Sequence, residues 1–105
     1  MQVIIKEPNC EPILKEVRHD LKTMQCIVGG LIEHISYPKL NGVDIWCNEE
    51  GKLLNLEPNI HMPEYQDDIV GTIFISACNI INGETISVPS KHIDFIMEDL
   101  KKRSI

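Results

Sequence analysis

The alternation of apolar and polar residues predicts most of the strands in this chain. Residues 3–5 form a short β-type run, residues 7–9 have the composition of a turn, and residues 13–17 alternate again. Two such runs joined by turn residues are typical of a β-hairpin. Residues 31–37 are predicted as the next strand, and residues 43–47 alternate as a half-buried strand does.

Two segments show the three- and four-residue spacing of apolar side chains that is typical of an amphipathic helix. The first is expected over residues 20–28, with Asp20 as its N-cap. Gly29 should end it, because glycine adopts the left-handed conformation at low cost. The second is expected over residues 89–102, with Pro89 in its first turn.

The segment Asn48-Glu49-Glu50-Gly51 is interpreted as a structural turn between strands, with a left-handed Gly51 at its end. Asn48 should bond to the backbone of its own turn. Adjacent glutamates at such a tip point apart and stay hydrated, so they are not expected to act in acid–base catalysis. A return strand is predicted over residues 52–56.

Residues 57–68 show no apolar period, and their prolines and acidic residues predict an irregular loop. A long loop in a small domain is more often functional than a short one. The alternative is an irregular connection packed by Ile60, Met62 and Tyr65.

Residues 69–77 are apolar on both faces and predict a central strand, in which Gly71 indicates a bulge or a close approach. Asn82-Gly83 predicts a two-residue hairpin turn, with residues 84–88 pairing back. We therefore expect one domain, residues 1–105, of the α+β class, with a mixed or antiparallel sheet of five to seven strands and two helices.

Charge narrows the range of partners. The chain has 10 basic and 16 acidic residues and a net charge of −6, which disfavours nonspecific binding to nucleic acids. No apolar run reaches the roughly 20 residues that cross a bilayer, and the first residues do not resemble a secretory signal. We expect a cytoplasmic protein without a membrane partner, in which the four cysteines are free thiols; an even number also permits two disulfides.

No motif for catalysis, metal binding or a cofactor is evident. The cysteines lack the close pairing of structural zinc ligands, the four histidines are scattered, and glycine-rich phosphate loops are missing. Cys47 and His61 would meet only through folding, and Cys47 is expected to be a small buried apolar residue. We therefore assign no catalytic residue, no metal ligand and no cofactor.

Seven residues are the candidates for ligand binding: Trp46, Asn48, Lys52, Asn59, His61, Tyr65 and Thr72. An exposed Trp46 could stack on a base or anchor a partner; the alternative is that a helix covers it. Asn59 and Asp68 bracket the irregular segment and are expected to hold its shape through hydrogen bonds to the backbone.

Four motifs occur in a fixed order: VGGLIE at 28–33, CNEEGKL at 47–53, LEPN at 56–59 and DIVGT at 68–72. Together they resemble a small family of phage and mobile-element proteins catalogued as domain of unknown function 3846. The resemblance extends over almost the whole chain, and the loop at 61–66 is a local variation. It implies a bacterial host cytoplasm and a phage, prophage or conjugative element as the source.

Small accessory proteins of that kind often interfere with host defence, so the resemblance implies an anti-defence role. We expect a non-enzymatic protein that sequesters a small nucleotide-like ligand, such as an immune signal, at a homo-oligomer interface. Lys39, Lys52 or Arg18 would contact its phosphate. The alternatives are an acidic inhibitor that binds a host defence protein, for example as a DNA mimic, and a hydrolase of a signalling nucleotide.

Overall fold

Eight strands and two α-helices make up this chain, which the computed structural model describes over residues 1–105. The elements are β1 (Gln2–Lys6), β2 (Ile13–Glu16), α1 (Leu21–Val28), β3 (Ile32–Ser36), β4 (Val43–Asn48), β5 (Pro58–Met62), β6 (Asp67–Val70), β7 (Ile73–Cys78), β8 (Thr85–Ile86) and α2 (Ser90–Arg103). Six strands form an antiparallel sheet in the order β2-β1-β7-β4-β3, with β8 also paired to β7. β5 and β6 form a separate two-stranded sheet. The predicted α+β class with two helices is confirmed.

The two faces of the main sheet are covered by different elements. α1 packs on one face, against Val3 and Phe74. α2 and the β5–β6 pair pack on the other face, where Ile96 and Leu100 of α2 are fully buried against Ile45 and its neighbours. Because successive side chains of a strand point to opposite faces, the main sheet contributes to two apolar layers.

Both predicted helices are confirmed to within about a turn. Asp20 caps α1, accepting a hydrogen bond from the Thr23 N–H at 2.7 Å, and Gly29 ends it at a φ of 80°. α2 starts at Ser90, because Pro89 has extended backbone angles and lies before the first turn. Neither helix is long and apolar enough to cross a lipid bilayer.

The irregular loop predicted for residues 57–68 is wrong. β5 and β6 form an antiparallel hairpin with Ile60 opposite Ile69 and a short 3-10 turn, Pro63–Tyr65, at its tip. Ile60 and Met62 are fully buried and anchor the hairpin, whereas residues 64–68 are exposed. The hairpin thus has one buried face and one face open to solvent.

The return strand predicted for residues 52–56 is also wrong. The chain makes consecutive turns there, with the Leu54 N–H bonded to Glu50 O and the Leu56 N–H bonded to Gly51 O. The left-handed residue of the segment is Asn55, at a φ of 55°, and not Gly51. Glycine is still required at 51, because a Cβ there would lie 2.9 Å from Val70 Cγ2.

The long central strand predicted for residues 69–77 is divided at Gly71, which has a φ of 77°. β6 before it belongs to the small sheet, and β7 after it lies between β1 and β4 in the main sheet. The predicted turn at Asn82-Gly83 is part of a six-residue loop, since Cys78 pairs with Thr85, and only β8 pairs back.

Candidate functional site

The β5–β6 hairpin and the turns at residues 51–56 border an open cleft of about 740 Å³. Polar side chains form most of its wall: Lys52, Asn55, His61, Gln66, Asp67 and Asp68. The hairpin register places His61 directly opposite Asp68, so both side chains lie on the same, solvent-facing side. The cleft is therefore lined partly by the segment predicted as a loop, 57–68, and partly by Lys52, Asn55 and Leu56 from the predicted return strand.

Each of the two basic residues of the cleft has a carboxylate beside it. The Lys52 ammonium donates to Asp67 and holds the pKa of that carboxyl below its usual value. His61 Nδ1 lies 2.9 Å from Asp68 Oδ1. All four side chains are about half exposed, and exposed pairs of this kind stabilise a protein by only about 0–1 kcal/mol. A ligand anion can therefore compete with Asp67 for Lys52 at small cost.

A second cavity, of about 280 Å³, lies on the other side of the Lys52–Asp67 pair, which lines both spaces. Its wall includes Ile35, Cys47 and Asn48. Five acidic residues line it, Glu33, Glu49, Glu50, Asp67 and Asp68; Asp67 is paired with Lys52, and Asp68 lies against His61. Lys52 is its only basic residue, so the second cavity is strongly acidic.

The Cys47 thiol is not activated as a nucleophile. Burial, together with the nearby Glu33 carboxylate, raises the pKa of Cys47 to about 12, and a protonated thiol is a poor nucleophile. All four cysteines are free, with Cys10 and Cys26 exposed and Cys78 partly buried. No group of three or more histidine, cysteine or acidic side chains is arranged to hold a metal ion.

Asn59 attaches the base of the hairpin to the main sheet. Its side chain is fully buried and donates to the carbonyls of Lys6 and Gly71, each at 2.8 Å. Its Oδ1 accepts a hydrogen bond from the Lys6 ammonium at 2.9 Å. Burial lowers the pKa of Lys6, which has no carboxylate partner.

Arg103, the last residue of α2, holds the tip of the hairpin. Its guanidinium forms a two-pronged pair with Glu64, with one N···O distance of 2.8 Å, and its Nε donates to Asp99 at 2.7 Å. The Tyr37 hydroxyl donates to the same Asp99 carboxylate at 2.6 Å. Arg103 lowers the pKa of Glu64 to about 2, and burial raises the pKa of Tyr37. The cleft wall is thus attached both to the sheet and to α2.

Three of the seven candidate residues line these two spaces. Lys52 and His61 lie in the cleft, and Lys52 and Asn48 line the second cavity. Asn48 is buried, donates to Val28 O at 3.2 Å and accepts from the Glu50 N–H at 2.8 Å. Its predicted hydrogen bond to its own turn is confirmed. Because both ends of the amide have partners within the chain, the Asn48 side chain is not free to bind a ligand.

The other four candidates lie outside the cleft. Trp46 packs against the apolar cluster under α1, and its indole N–H donates to Ser76 Oγ. Asn59 is internal, as described above. The Tyr65 hydroxyl donates to the carbonyl of Ser36 at 2.7 Å. Thr72 lies in the link between β6 and β7.

Sequence reasoning missed the contributions of Asn55, Gln66, Asp67 and Arg103. Apolar residues at the alternate positions 60 and 62 are the pattern of a strand. Pro58 and Pro63 lie so near them that the segment has the composition of a loop. Without the hairpin register, the pairing of Lys52 with Asp67 has no signal in the sequence.

The family described as Domain of unknown function (DUF3846) has a model that matches residues 1–101. No curated protein matched the chain, and no solved structure did.

Proposed function

The chain belongs to the DUF3846 family, and we propose that it is a non-enzymatic binding protein that sequesters a small nucleotide-like ligand in the cleft. The observation that carries this proposal is the cleft itself, because its volume of about 740 Å³ lies within the range of small-molecule sites. Its wall is held at two separate points, through Asn59 and Arg103.

The cleft offers groups that suit a nucleobase. Asn55 and Gln66, which carry side-chain amides, line it, and both residues are exposed. Each amide has donors and an acceptor, as do the edges of nucleobases. They are therefore free to read the base of a bound nucleotide.

Lys52 is the group that would bind a phosphate. A phosphate accepts stronger, charge-assisted hydrogen bonds than a hydrated side-chain pair retains, so it can take Lys52 from Asp67. Arg18 pairs with Asp20 next to α1 instead.

The wider role rests on the family resemblance. We extend the proposal to an accessory protein of a phage or mobile element that acts in the cytoplasm of a bacterial host and counters host defence by removing a nucleotide signal. The cleft is open in a single copy, and we expect a homo-oligomer to close it.

Isothermal titration with a panel of cyclic dinucleotides, mononucleotides and the matching nucleosides tests the first proposal. We expect at least one nucleotide to bind. Lys52→Ala should weaken nucleotide binding about tenfold, the loss of one charge-assisted hydrogen bond, and leave nucleoside binding unchanged. Asp67→Asn should strengthen nucleotide binding, because it removes the competitor for Lys52.

Lys91→Ala is the matched control, since Lys91 is an exposed lysine at the start of α2. Chromatography of the recovered ligand separates sequestration, which returns it intact, from hydrolysis, which does not. Failure of every nucleotide to bind, or an equal loss with Lys91→Ala, would contradict the proposal.

A second candidate function is favoured by the five carboxylates around the second cavity. Such a surface fits an acidic inhibitor that binds a basic region of a host defence protein. We propose it as the alternative to ligand sequestration.

A further inference from the structure

The main sheet has an open edge at β3. In its pairing with β4, Leu31 O accepts from the Glu49 N–H and the Tyr37 N–H donates to Val43 O, each at 2.8 Å. Antiparallel pairs alternate between hydrogen-bonded and non-bonded, so the odd-numbered residues of β3 turn their backbone groups toward β4. Ile32, His34 and Ser36 turn theirs away.

This outward row is almost free within the chain. The Tyr65 hydroxyl occupies the carbonyl of Ser36, which agrees with the outward direction of the even positions. No strand pairs with β3 on that side. The backbone N–H and C=O groups of Ile32 and His34 therefore remain available, the arrangement that accepts an added strand.

The second cavity lies directly beside this edge. Glu33 and Ile35 of β3 line it, on the face opposite to the side chains of the outward residues. Leu53, 79% exposed, also lines it. The aliphatic stem of a lysine or arginine side chain from a partner fits against Leu53, while its charged end reaches the carboxylates.

We propose that the β3 edge binds an extended, basic segment of a partner protein as an additional strand, with a lysine or arginine opposite Glu33 entering the second cavity. The open backbone groups define the binding mode, and the three acidic residues of the cavity that have no ion pair, Glu33, Glu49 and Glu50, define the charge of the partner. The inference gives a binding mode to the second candidate function and does not depend on ligand binding in the cleft.

A second copy of the chain fits this edge poorly. A twofold axis at β3 would bring two sets of the same five carboxylates together, and juxtaposed like charges oppose association. The opposite edge strand, β2, carries Lys15 and Glu16 after Pro12, features that protect an edge from pairing. The residues before it, Cys10, Glu11 and Pro12, border only a small cavity of about 50 Å³. Any homo-oligomer is therefore expected to use a different surface.

Hydrogen exchange with an eight-residue peptide of alternating lysine and valine tests the proposal on the full chain. The peptide should slow exchange of the Ile32 and His34 N–H groups at least tenfold and leave the β2 amides unchanged. A glutamate–valine peptide should not bind. The lysine–valine peptide with N-methyl groups at alternate residues, placed to block its ladder hydrogen bonds, should also fail.

Glu33→Lys should weaken binding about tenfold, whereas Glu98→Lys, a charge reversal at an exposed position on α2, should have little effect. If the N-methylated lysine–valine peptide still binds, or if the unmodified peptide protects amides other than those of Ile32 and His34, edge pairing is overturned. The second candidate function, an acidic inhibitor, would then stand without this binding mode. No binding of any basic peptide would overturn both. Protection of Ile32 and His34 in the free protein, together with a dimer in sedimentation, would assign the edge to a second copy and overturn the proposal.

Discussion

Asn59 is the residue on which the position of the hairpin depends most. Asn59 makes the expected hydrogen bonds to the backbone, but to the carbonyls of Lys6 and Gly71, which lie outside residues 57–68. The same expectation for Asp68 is wrong, because its carboxylate contacts the His61 side chain. Asn59 also provides a side-chain acceptor for the Lys6 ammonium, whose only other acceptor is Glu7 O at 3.1 Å. A buried cation with a neutral partner is costly to leave unsatisfied, so the two residues act as a unit.

Asn59→Ala should lower the free energy of unfolding by about 3 kcal/mol or more, because two carbonyls and a buried ammonium each lose a partner. Urea unfolding measures this loss. Asn41→Ala, at an exposed turn residue, is the control and should change stability by less than about 0.5 kcal/mol.

The double variant Asn59→Ala with Lys6→Met separates the cost of leaving the Lys6 ammonium without a partner from the cost of losing the Asn59 amide. Because Lys6→Met removes the stranded ammonium, the pair of substitutions should cost less than the sum of the two single ones. Additive losses would mean that Asn59 and Lys6 do not act together.

At the scale of elements, the sequence predicted what a local pattern can encode. α1 has its cap, its apolar spacing and its terminal glycine in one continuous stretch, and β4 alternates cleanly, so both were predicted correctly. The β5–β6 hairpin was missed because the prolines at 58 and 63 obscure its alternation and its partner residues become apparent only after pairing. The cleft was missed with it, apart from Lys52 and His61, which were chosen for their chemistry.

The division between β6 and β7 was missed because residues 69–77 are mostly apolar, with Thr72 and Ser76 as the polar exceptions. Ile69 of β6 is buried in the small sheet and β7 is buried in the main sheet, so the hydrophobic pattern does not change where the chain changes sheets. Gly71 was the only signal, and it marks a close approach, as the sequence indicated: a Cβ there would lie 2.7 Å from Leu56 Cδ1.

Gly71→Ala should therefore destabilise the protein more than Gly83→Ala. Both glycines have positive φ, 77° and 75°, but nothing lies within 4 Å of a Cβ built at Gly83. Gly83→Ala should cost about 1–2 kcal/mol for the left-handed backbone alone, and Gly71→Ala should add the cost of displacing Leu56.

Thermal or urea unfolding of the two variants measures this difference directly. A third variant, Gly71→Ala with Leu56→Ala, should recover part of the added loss, since it removes the side chain that the new methyl group meets. Equal losses for Gly71→Ala and Gly83→Ala would show that Leu56 moves aside freely and that the approach is not tight.

The whole molecule consists of a main sheet covered by α1 on one face and by α2 with the hairpin on the other. The hairpin carries most of the cleft wall, and it is held by Asn59 at its base and by Arg103 at its tip. The family match ends at residue 101, so Arg103 lies just outside the matched region.

The Glu64–Arg103 ion pair should make the stability of the whole fold depend on pH in the acidic range. Arg103 lowers the pKa of Glu64 to about 2, below the value of about 4.3 for an unperturbed glutamate. The folded state thus binds the proton less tightly than the unfolded state. The pair stabilises the fold above about pH 4.3, and this contribution is lost as the pH falls toward 2.

Urea midpoints between pH 5 and pH 2 should therefore fall less steeply in Glu64→Gln than in the wild type, because the amide cannot titrate. Glu84→Gln, at an exposed glutamate without an ion pair, should retain the wild-type slope. Since Glu64 is accessible to solvent, about 1 M salt should reduce the difference between Glu64→Gln and the wild type. Parallel slopes for all three proteins would mean that the Glu64–Arg103 pair does not hold the hairpin in solution, and the cleft would then have only its attachment through Asn59.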